Sequence, residues 1–494
     1  MDALPELLFS QASDPAQSRR VRRLAVGGHL RKLYAGIYTS NLDAPPEAVV
    51  LRHWRAIAGH LLPGAVVSHR SAFDSRPHDG LLFVTRGKTR RTLELPGLAI
   101  EVLPGPAAVT DSAARDVPYG EVFLASEPRR FLENLTRGRG WSQRVLAQEE
   151  LEVQFDRMLA LRGEHRLHDL RDACKALADR LELVVEFKRL DAIVGALLGT
   201  HDAKKLSARQ ALARAAGRPY DAGRLDLFDA LFAALNRAVF ATVPDPAPTG
   251  QARENFAFYE SYFSNFIEGT VFTVDEAERI VFEGQIIENR SADSHDVLGT
   301  FAAATRSPWR DRPPSDADAF LAWLKSVNAQ VMQQRHDKRP GEWKDLVNQA
   351  GSTMFVLPEL VPGTLREGFE RIGALTDPVA RALMTMFVVT EVHPFIDGNG
   401  RTARLAMNAV LTAGGCSRII VPTVYREDYL LPLKALSNNA DPAPFLAAMT
   451  RIQSWSGAFD YAKPRDKVRA QLALCHAFEE DLRSFRLVFP ERSG

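Results

Sequence analysis

The sequence predicts a mainly α-helical protein: an all-helical core carrying one small β-hairpin, preceded by an α+β N-terminal domain and a helical connecting region. Three observations predict it. Apolar residues recur at three- and four-residue spacing through the second half, as in Phe320 to Val331 and Ala380 to Val389. Strand-like alternation appears early, in LELPGLAIEVL from Leu93, and again in a short β-branched and aromatic run between Gly351 and Pro358. An alanine- and proline-rich stretch, ATVPDPAPTG from Ala241, marks a boundary between regions.

Composition sets the frame. At 494 residues, 46% hydrophobic and 25% charged, the chain is long enough for about three domains. A net charge of +1 points to neither nucleic acid nor membrane overall. Cys174, Cys416 and Cys475 are far apart, odd in number and without metal-ligand spacing, so neither a disulfide framework nor a zinc site is expected. No basic-then-apolar signal opens the chain, and no apolar run approaches the roughly 18 residues that span a bilayer. A cytoplasmic protein without membrane partners is the expectation.

Residues 1–125 form the predicted N-terminal domain. Within the first forty, Arg19, Arg20, Arg22, Arg23, Arg31 and Lys32 outnumber the acids Asp2, Glu6 and Asp14. Leu4, Leu7 and Leu8, then Val21, Leu24 and Ala25, suggest short helices, and LRKLYAGIYTS ends them with a turn at Gly36 and a strand. Helices followed by a strand wing compose a winged helix-turn-helix whose basic residues meet phosphates, so DNA is a predicted partner. A solvated basic helix face explains the same arginines. GHLRKLYAGIY, with VVSHRSAF and LELPGLAIEVL, distantly resembles the N-terminal domains of AbiEi-type antitoxins and transcriptional regulators.

Residues 126–240 carry amphipathic helical patterns, Leu167 to Leu183 and Leu225 to Phe240, read as a connecting domain. His69 and His165 join no ligand cluster and read as structural or surface histidines. Residues 241–251 are an extended, stiff linker. The core domain follows at 252–462.

It opens with a helix over 253–269, in which Phe256, Tyr259, Phe263 and Phe266 form one apolar face. Ser264-Asn-Phe-Ile-Glu268-Gly269 closes that helix, with Gly269 as its stop signal. An acid at a helix C-terminus opposes the dipole, so Glu268 needs a further reason to stand there.

The segment His393 to Arg404, HPFIDGNGRTAR, carries the chemistry. His393 accepts a proton near neutral pH. Asp397 is a hard carboxylate suited to magnesium bridging phosphates. Gly398-Asn399-Gly400 reads as a tight loop opening a helix, whose unpaired N–H groups face an anion. Arg401 and Arg404 share a helix face and suit two further phosphates. Phe395 is assigned to burial, pinning the loop.

This segment resembles the signature of the Fic family, HPFx(D/E)GNGRxxR, whose members transfer a nucleotide, usually AMP, to a protein hydroxyl. The resemblance implies His393 as general base, Asp397 as ligand of Mg2+, Gly398, Asn399 and Gly400 as anion hole, and Arg401 and Arg404 as holders of the distal phosphates of ATP. Gly400 favours nucleotidyl over phosphoryl transfer, since the related Doc-type kinases carry lysine there. SNFIEG resembles the family's inhibitory motif, (S/T)xxxE(G/N): Ser264, Glu268 and Gly269 would form a brake in which Glu268 reaches Arg404.

Two lesser features complete the expected site. WKDLVNQAGSTMFVLPELVPGTLREG, from Trp343 to Gly368, matches in position the flap that aligns a target peptide by strand addition. Tyr429 and Asn438 fall in a segment resembling the one that closes over the base. Tyr429 reads equally as packing, and Asn438 as a helix cap. A C-terminal amphipathic helix is expected within 463–494.

The functional expectation is an autoinhibited adenylyltransferase moving AMP from ATP to a Ser, Thr or Tyr hydroxyl of a target protein or of itself. The alternatives are a DNA-binding, antitoxin-like regulator with a nucleotide-sensing Fic region, a deAMPylase, or a transferase of another nucleotide. The target protein, the base of the triphosphate and the oligomeric state are not fixed by these residues, although a homodimer suits a palindromic DNA site.

Overall fold

The computed structural model describes residues 4–10, 14–136, 143–351 and 353–491. Asp2, counted among the N-terminal acids, lies outside them. The chain divides into two compact units, 1–217 and 218–494.

In the first unit the run around Leu7 is a strand, not the expected helix. Leu7–Phe9 pairs antiparallel with Ile37–Thr39, which turns back on Arg31–Tyr34 across Gly36 (φ 76°). The partner strand, distant in sequence, supplies the hydrogen bonds that decide between the two conformations. Helix Pro15–Val26 is capped by Asp14, which accepts from the Ala16 and Gln17 amides. Its arginines 19, 20, 22 and 23 are exposed and Val21 is buried. Arg31 is instead committed to the Leu42 and Ala44 carbonyls.

Helices Pro46–Arg52 and Trp54–Leu61 pack on a six-stranded mixed sheet in the order 91–95, 98–103, 81–85, 66–67, 122–124, 117–119. LELPGLAIEVL is its edge hairpin, turning at Gly97. Behind the sheet Arg129 bridges Asp116 and Glu133, 2.7 Å to each, all three buried. His69 is buried beside Ser68, and burial, with Arg144 and Arg129 nearby, pushes its pKa down to about 3. His165 is exposed. Helices Glu127–Asn134, Gln148–Ala178, Val184–Leu197 and Arg209–Ala215 share one apolar core around Phe131, Phe155 and Leu190. The long helix breaks at Gly163, whose φ of 73° is outside the helical range.

The second unit includes helix Ala222–Arg237, which the sequence placed in the connecting region. Phe228 meets Phe387 edge-on at 6.0 Å and covers Gly368, so this helix is part of the unit's core. The proline-rich stretch is extended but fastened rather than free: Val243 O accepts from Ser417 N at 2.7 Å, and Ala247 is buried.

Helix Gly250–Ile267 is buried on nearly every side, not on one apolar face. Phe256, Tyr259 and Phe263 are buried together with Asn255, Glu260, Ser264 and Asn265. The polar members are paired: Asn255 donates to the Tyr461 and Lys463 carbonyls, and Glu260 holds Arg418 and Asn408. Around this helix stand Ser291–Thr305, Ala317–Val331, Val361–Ala374, Pro378–Val392, Asn399–Ala413, Arg426–Asn439 and Ala443–Ser456. The hairpin pairs Gln349–Ala350 with Thr353–Met354.

The expected C-terminal helix stops at Leu474. His476 takes φ 62° and the Ala477 amide returns to the Leu472 carbonyl, which caps the helix and reverses the chain. The three cysteines are buried and form no disulfide. Among the described residues no helix is long and apolar enough to cross a membrane.

Candidate functional site

Helix Pro378–Val392 ends where His393 adopts a left-handed conformation, φ 52°. The loop after it is closed by Asn399, whose side-chain oxygen accepts from the Phe395 amide at 2.8 Å and whose nitrogen donates to the Phe395 carbonyl at 2.9 Å. The amide oxygen and one of the two amide N–H groups are thus engaged in closing the loop, while the second N–H and the backbone N–H remain to meet an anion. Phe395 is buried against Trp343, ring centroids 5.1 Å apart. Gly398 caps the next helix at φ 76°, and a Cβ there would stand 2.8 Å from Met332 and 3.0 Å from Asn328. Helix Asn399–Ala413 then starts with its first N–H groups free of intrahelical partners.

His393 lies under the hairpin. Phe355 stacks on its ring at 3.8 Å and 8°. Nδ1 faces the Thr390 carbonyl at 3.2 Å, so Nδ1 carries the proton and Nε2 keeps its lone pair. Burial pushes its pKa down to about 4 despite that carbonyl, with the Lys344 charge adding to the fall. Lys344 is itself buried, and burial pushes its ammonium down to about 7, helped by Arg224. It brackets His393 along the chain: Nζ donates to the Val392 carbonyl at 3.4 Å and to Asn348 at 2.6 Å, and its amide donates to the Pro394 carbonyl at 2.9 Å.

Asp397 is half exposed at the mouth of the loop, and one of its oxygens accepts from the Gly398 amide at 2.5 Å. Arg401 comes within 3.7 Å of it, yet Arg401 points chiefly elsewhere. Its guanidinium is buried against Asp296 at 2.9 Å, Asn265 at 3.2 Å and Met332 sulfur at 3.2 Å. Asp296 also takes Arg335 at 2.8 Å. The expected pair of phosphate arginines is therefore split: Arg401 is held inside an ion network, and Arg404 faces the helix that ends in Glu268.

Arg404 donates through Nη2 to Glu268 at 2.7 Å and to the Ser264 carbonyl at 2.9 Å, and through Nε to the Ser264 hydroxyl at 3.0 Å. Burial alone would raise the Glu268 pKa; the charge and hydrogen bond of Arg404, with Arg401 and His393 beyond, outweigh it and hold the carboxyl below its usual range. The carboxylate lies over Gly400, where a Cβ would stand 2.1 Å from Oε1. An anion thus already occupies the start of helix Asn399–Ala413, the place its dipole favours. Gly269 follows at φ 88° and ends the Glu268 helix. Tyr429 is buried, its hydroxyl donates to the Met386 sulfur at 3.8 Å, and burial raises its pKa while the nearby Arg404 charge opposes the rise. Asn438 is exposed and follows Ser437, whose hydroxyl donates to Glu391 at 2.6 Å.

Several of these partners had no signal in the sequence. Asp296, Asn328 and Met332 carry no motif, and Lys344, Asn348 and Phe355 fall in the stretch expected as the flap without a role of their own; all six meet the segment from His393 to Arg404 over long separations.

With the loop, the helix start and the Glu268–Arg404 pair in one place, residues 319–411 match the Fic/DOC family. The chain carries a Fic domain. Over 216 residues it is 27% identical to protein adenylyltransferase fic-1 of Caenorhabditis elegans, covering 42% of each chain. Over 207 residues it is 28% identical to protein adenylyltransferase Fic of Drosophila melanogaster, covering 40% of each. The chain thus spans less than half the length of these relatives. Among solved structures, residues 134–508 of Fic-1 from C. elegans superpose with a TM-score of 0.36 at 18% identity, covering 66% of this chain and 93% of that one. Ser264, Glu268, Asp296 and Tyr429 lie outside the matched segment of the Fic domain.

Proposed function

We propose that this chain is an autoinhibited protein adenylyltransferase, moving AMP from ATP to a Ser, Thr or Tyr hydroxyl of a protein. One observation carries the reading: a neutral imidazole, His393, stands beside an anion-binding helix start whose distal arginine, Arg404, is capped by a carboxylate of the same chain.

His393 Nε2 takes the proton of the attacking hydroxyl as its oxygen bonds to the α-phosphorus. The bond from that phosphorus to the bridging oxygen breaks, and pyrophosphate leaves. The free N–H groups at Asn399 and Gly400 hold the anionic oxygens, and Gly400 lets them approach. Asp397 fits a magnesium ion, because a single half-exposed hard carboxylate is what an ion bound mainly by phosphates and water asks of a protein. Such an ion would supply charge neutralisation on the phosphates. Among the described residues no group of three or more His, Cys, Asp or Glu suits a self-sufficient metal cage.

In the resting chain Glu268 takes the place that a distal phosphate would take at Arg404. Release of Glu268 frees the arginine. The test is incubation of the full chain with magnesium and α-labelled ATP, comparing wild type, Glu268→Gly and Glu268→Gly with His393→Ala. Label on protein in the single variant alone supports the transferase and its brake. No label in any chain that still binds ATP would sink the reading in favour of AMP removal or another nucleotide.

A second activity is favoured by the exposed Arg19, Arg20, Arg22 and Arg23 on one short helix, which suit DNA phosphates. A gel shift on the chain's own promoter region that shows only salt-labile, sequence-blind binding would remove it.

A further inference from the structure

Arg224 belongs to a helix that precedes the proline-rich stretch and lies outside the matched Fic segment. Its guanidinium nevertheless ends at the site. Nη1 pairs with Glu391, two residues before His393, and Nη2 donates to the carbonyl of Met354, the last residue of the hairpin. The next residue, Phe355, is the ring stacked on His393. Glu391 is buried, and its second oxygen accepts from the Ser437 hydroxyl at 2.6 Å, so the carboxylate is fixed from both sides.

The mount of Arg224 is rigid. Asp221 caps its helix, and the Asp221 amide donates to the Thr364 hydroxyl at 3.0 Å. Pro219 packs directly on Gly363, where a Cβ would stand 2.1 Å from the Pro219 carbonyl. A two-residue strand pair has too few hydrogen bonds to hold itself in place. It needs an outside clamp, and a bidentate guanidinium with one arm on the strand and one on the helix that presents His393 is such a clamp.

We propose that Arg224 is a positioning residue that fastens the hairpin, and through it Phe355, over His393. It acts through Met354 and Glu391 and touches no reacting atom. The catalytic consequence rests on the transferase reading; the clamp itself does not. Loosening it lets Phe355 leave the ring and lets the strand that would present a target drift from the base.

The experiment uses the full chain carrying Glu268→Gly, with Arg224→Gln and Arg224→Lys added separately. Hydrogen exchange of amides 353–356 is measured beside that of 384–389, together with self-labelling kinetics. Arg224→Gln should speed exchange at 353–356 by about tenfold and leave 384–389 unchanged. Its kcat should fall by about ten- to hundredfold, the range a misplacement of about 1 Å produces, with KM for ATP within about twofold. Arg224→Lys, which keeps the charge but reaches one partner, should recover part of both. Unchanged exchange at 353–356, or an equal rise at 384–389, overturns the clamp. Faster hairpin exchange in a set of chains of which none labels would keep the clamp and overturn the transferase reading instead.

Discussion

Glu268 and Arg404 meet at 2.7 Å above Gly400, so the carboxylate sits at once on a guanidinium and on the start of a helix. Two cationic features built for an anion are answered by one side chain of the same fold. Glu268→Gly should raise α-phosphate labelling on the order of tenfold or more, because it restores Arg404 to the nucleotide. Because the Glu268 pKa is lowered on folding, the pair's contribution to stability is present above the unfolded value of 4.5 and is lost as pH falls through the folded value. An acid titration of unfolding should therefore show wild type losing this contribution below pH 4.5, and Glu268→Gly lacking that component.

His393 should be essential and active over a broad acid range. With its pKa pushed down to about 4, the base form persists well below neutrality. The acid limb of the rate profile should fall near pH 4 to 5 rather than at the free-histidine value of 6.5. His393→Ala should lower transfer by about 100-fold or more. The folded protein binds this proton less readily than the unfolded chain, so stability is full above pH 6.5 and declines toward about 4; His393→Ala should lessen that decline.

Gly398→Ala should destabilise the domain by about 1–3 kcal/mol, through a left-handed φ and a collision with Met332 and Asn328. Chemical denaturation reads it directly. An unchanged midpoint would mean that the loop does not need this turn.

Asp296→Ala should cost about 3–5 kcal/mol, because it leaves the buried Arg401 without its closest anionic partner and Arg335 with one fewer. Thermal unfolding checks the stability. Equilibrium binding of ATP should weaken in parallel, as Arg401 loses its anchored position.

Lys344→Met should raise thermal stability near neutral pH. The folded ammonium titrates at about 7 against 10.5 when exposed, so the cost of burying the charge is complete below pH 7 and disappears as pH rises toward 10.5. The gain should accordingly be measurable at pH 6 to 7 and fade above pH 10. Transfer should slow even as stability rises, since the bonds to Val392 and Asn348 behind His393 are lost.

How far the site was legible depended on where its parts sit along the chain. His393, Asp397, the glycines and the arginines fall within twelve residues, and a helix start with free N–H groups is a local property, readable from Gly398-Asn399-Gly400. The cap residue Gly269 was legible for the same reason. The part Asn399 plays in closing the loop was not legible, because a motif names a residue without saying which way its amide turns. Leu7 was misread because a three-residue strand has no periodicity of its own.

The sequence by itself determined which reactive groups stand together: an imidazole, a hard carboxylate, a helix start with free N–H groups, and an acid at a helix end. It also determined that the core is helical, since apolar spacing is set within one turn. Only the tertiary structure decided that Arg401 is held by Asp296, that the Glu268 helix is buried on nearly every side, that Arg224 reaches Glu391 and Met354, and that Lys344 lies behind His393. Those outcomes depend on hydrogen bonds and ion pairs between residues far apart in the chain. Burial makes such pairings obligatory, because a polar group taken out of water must find a partner, and which partner it finds is fixed by packing rather than by sequence neighbours.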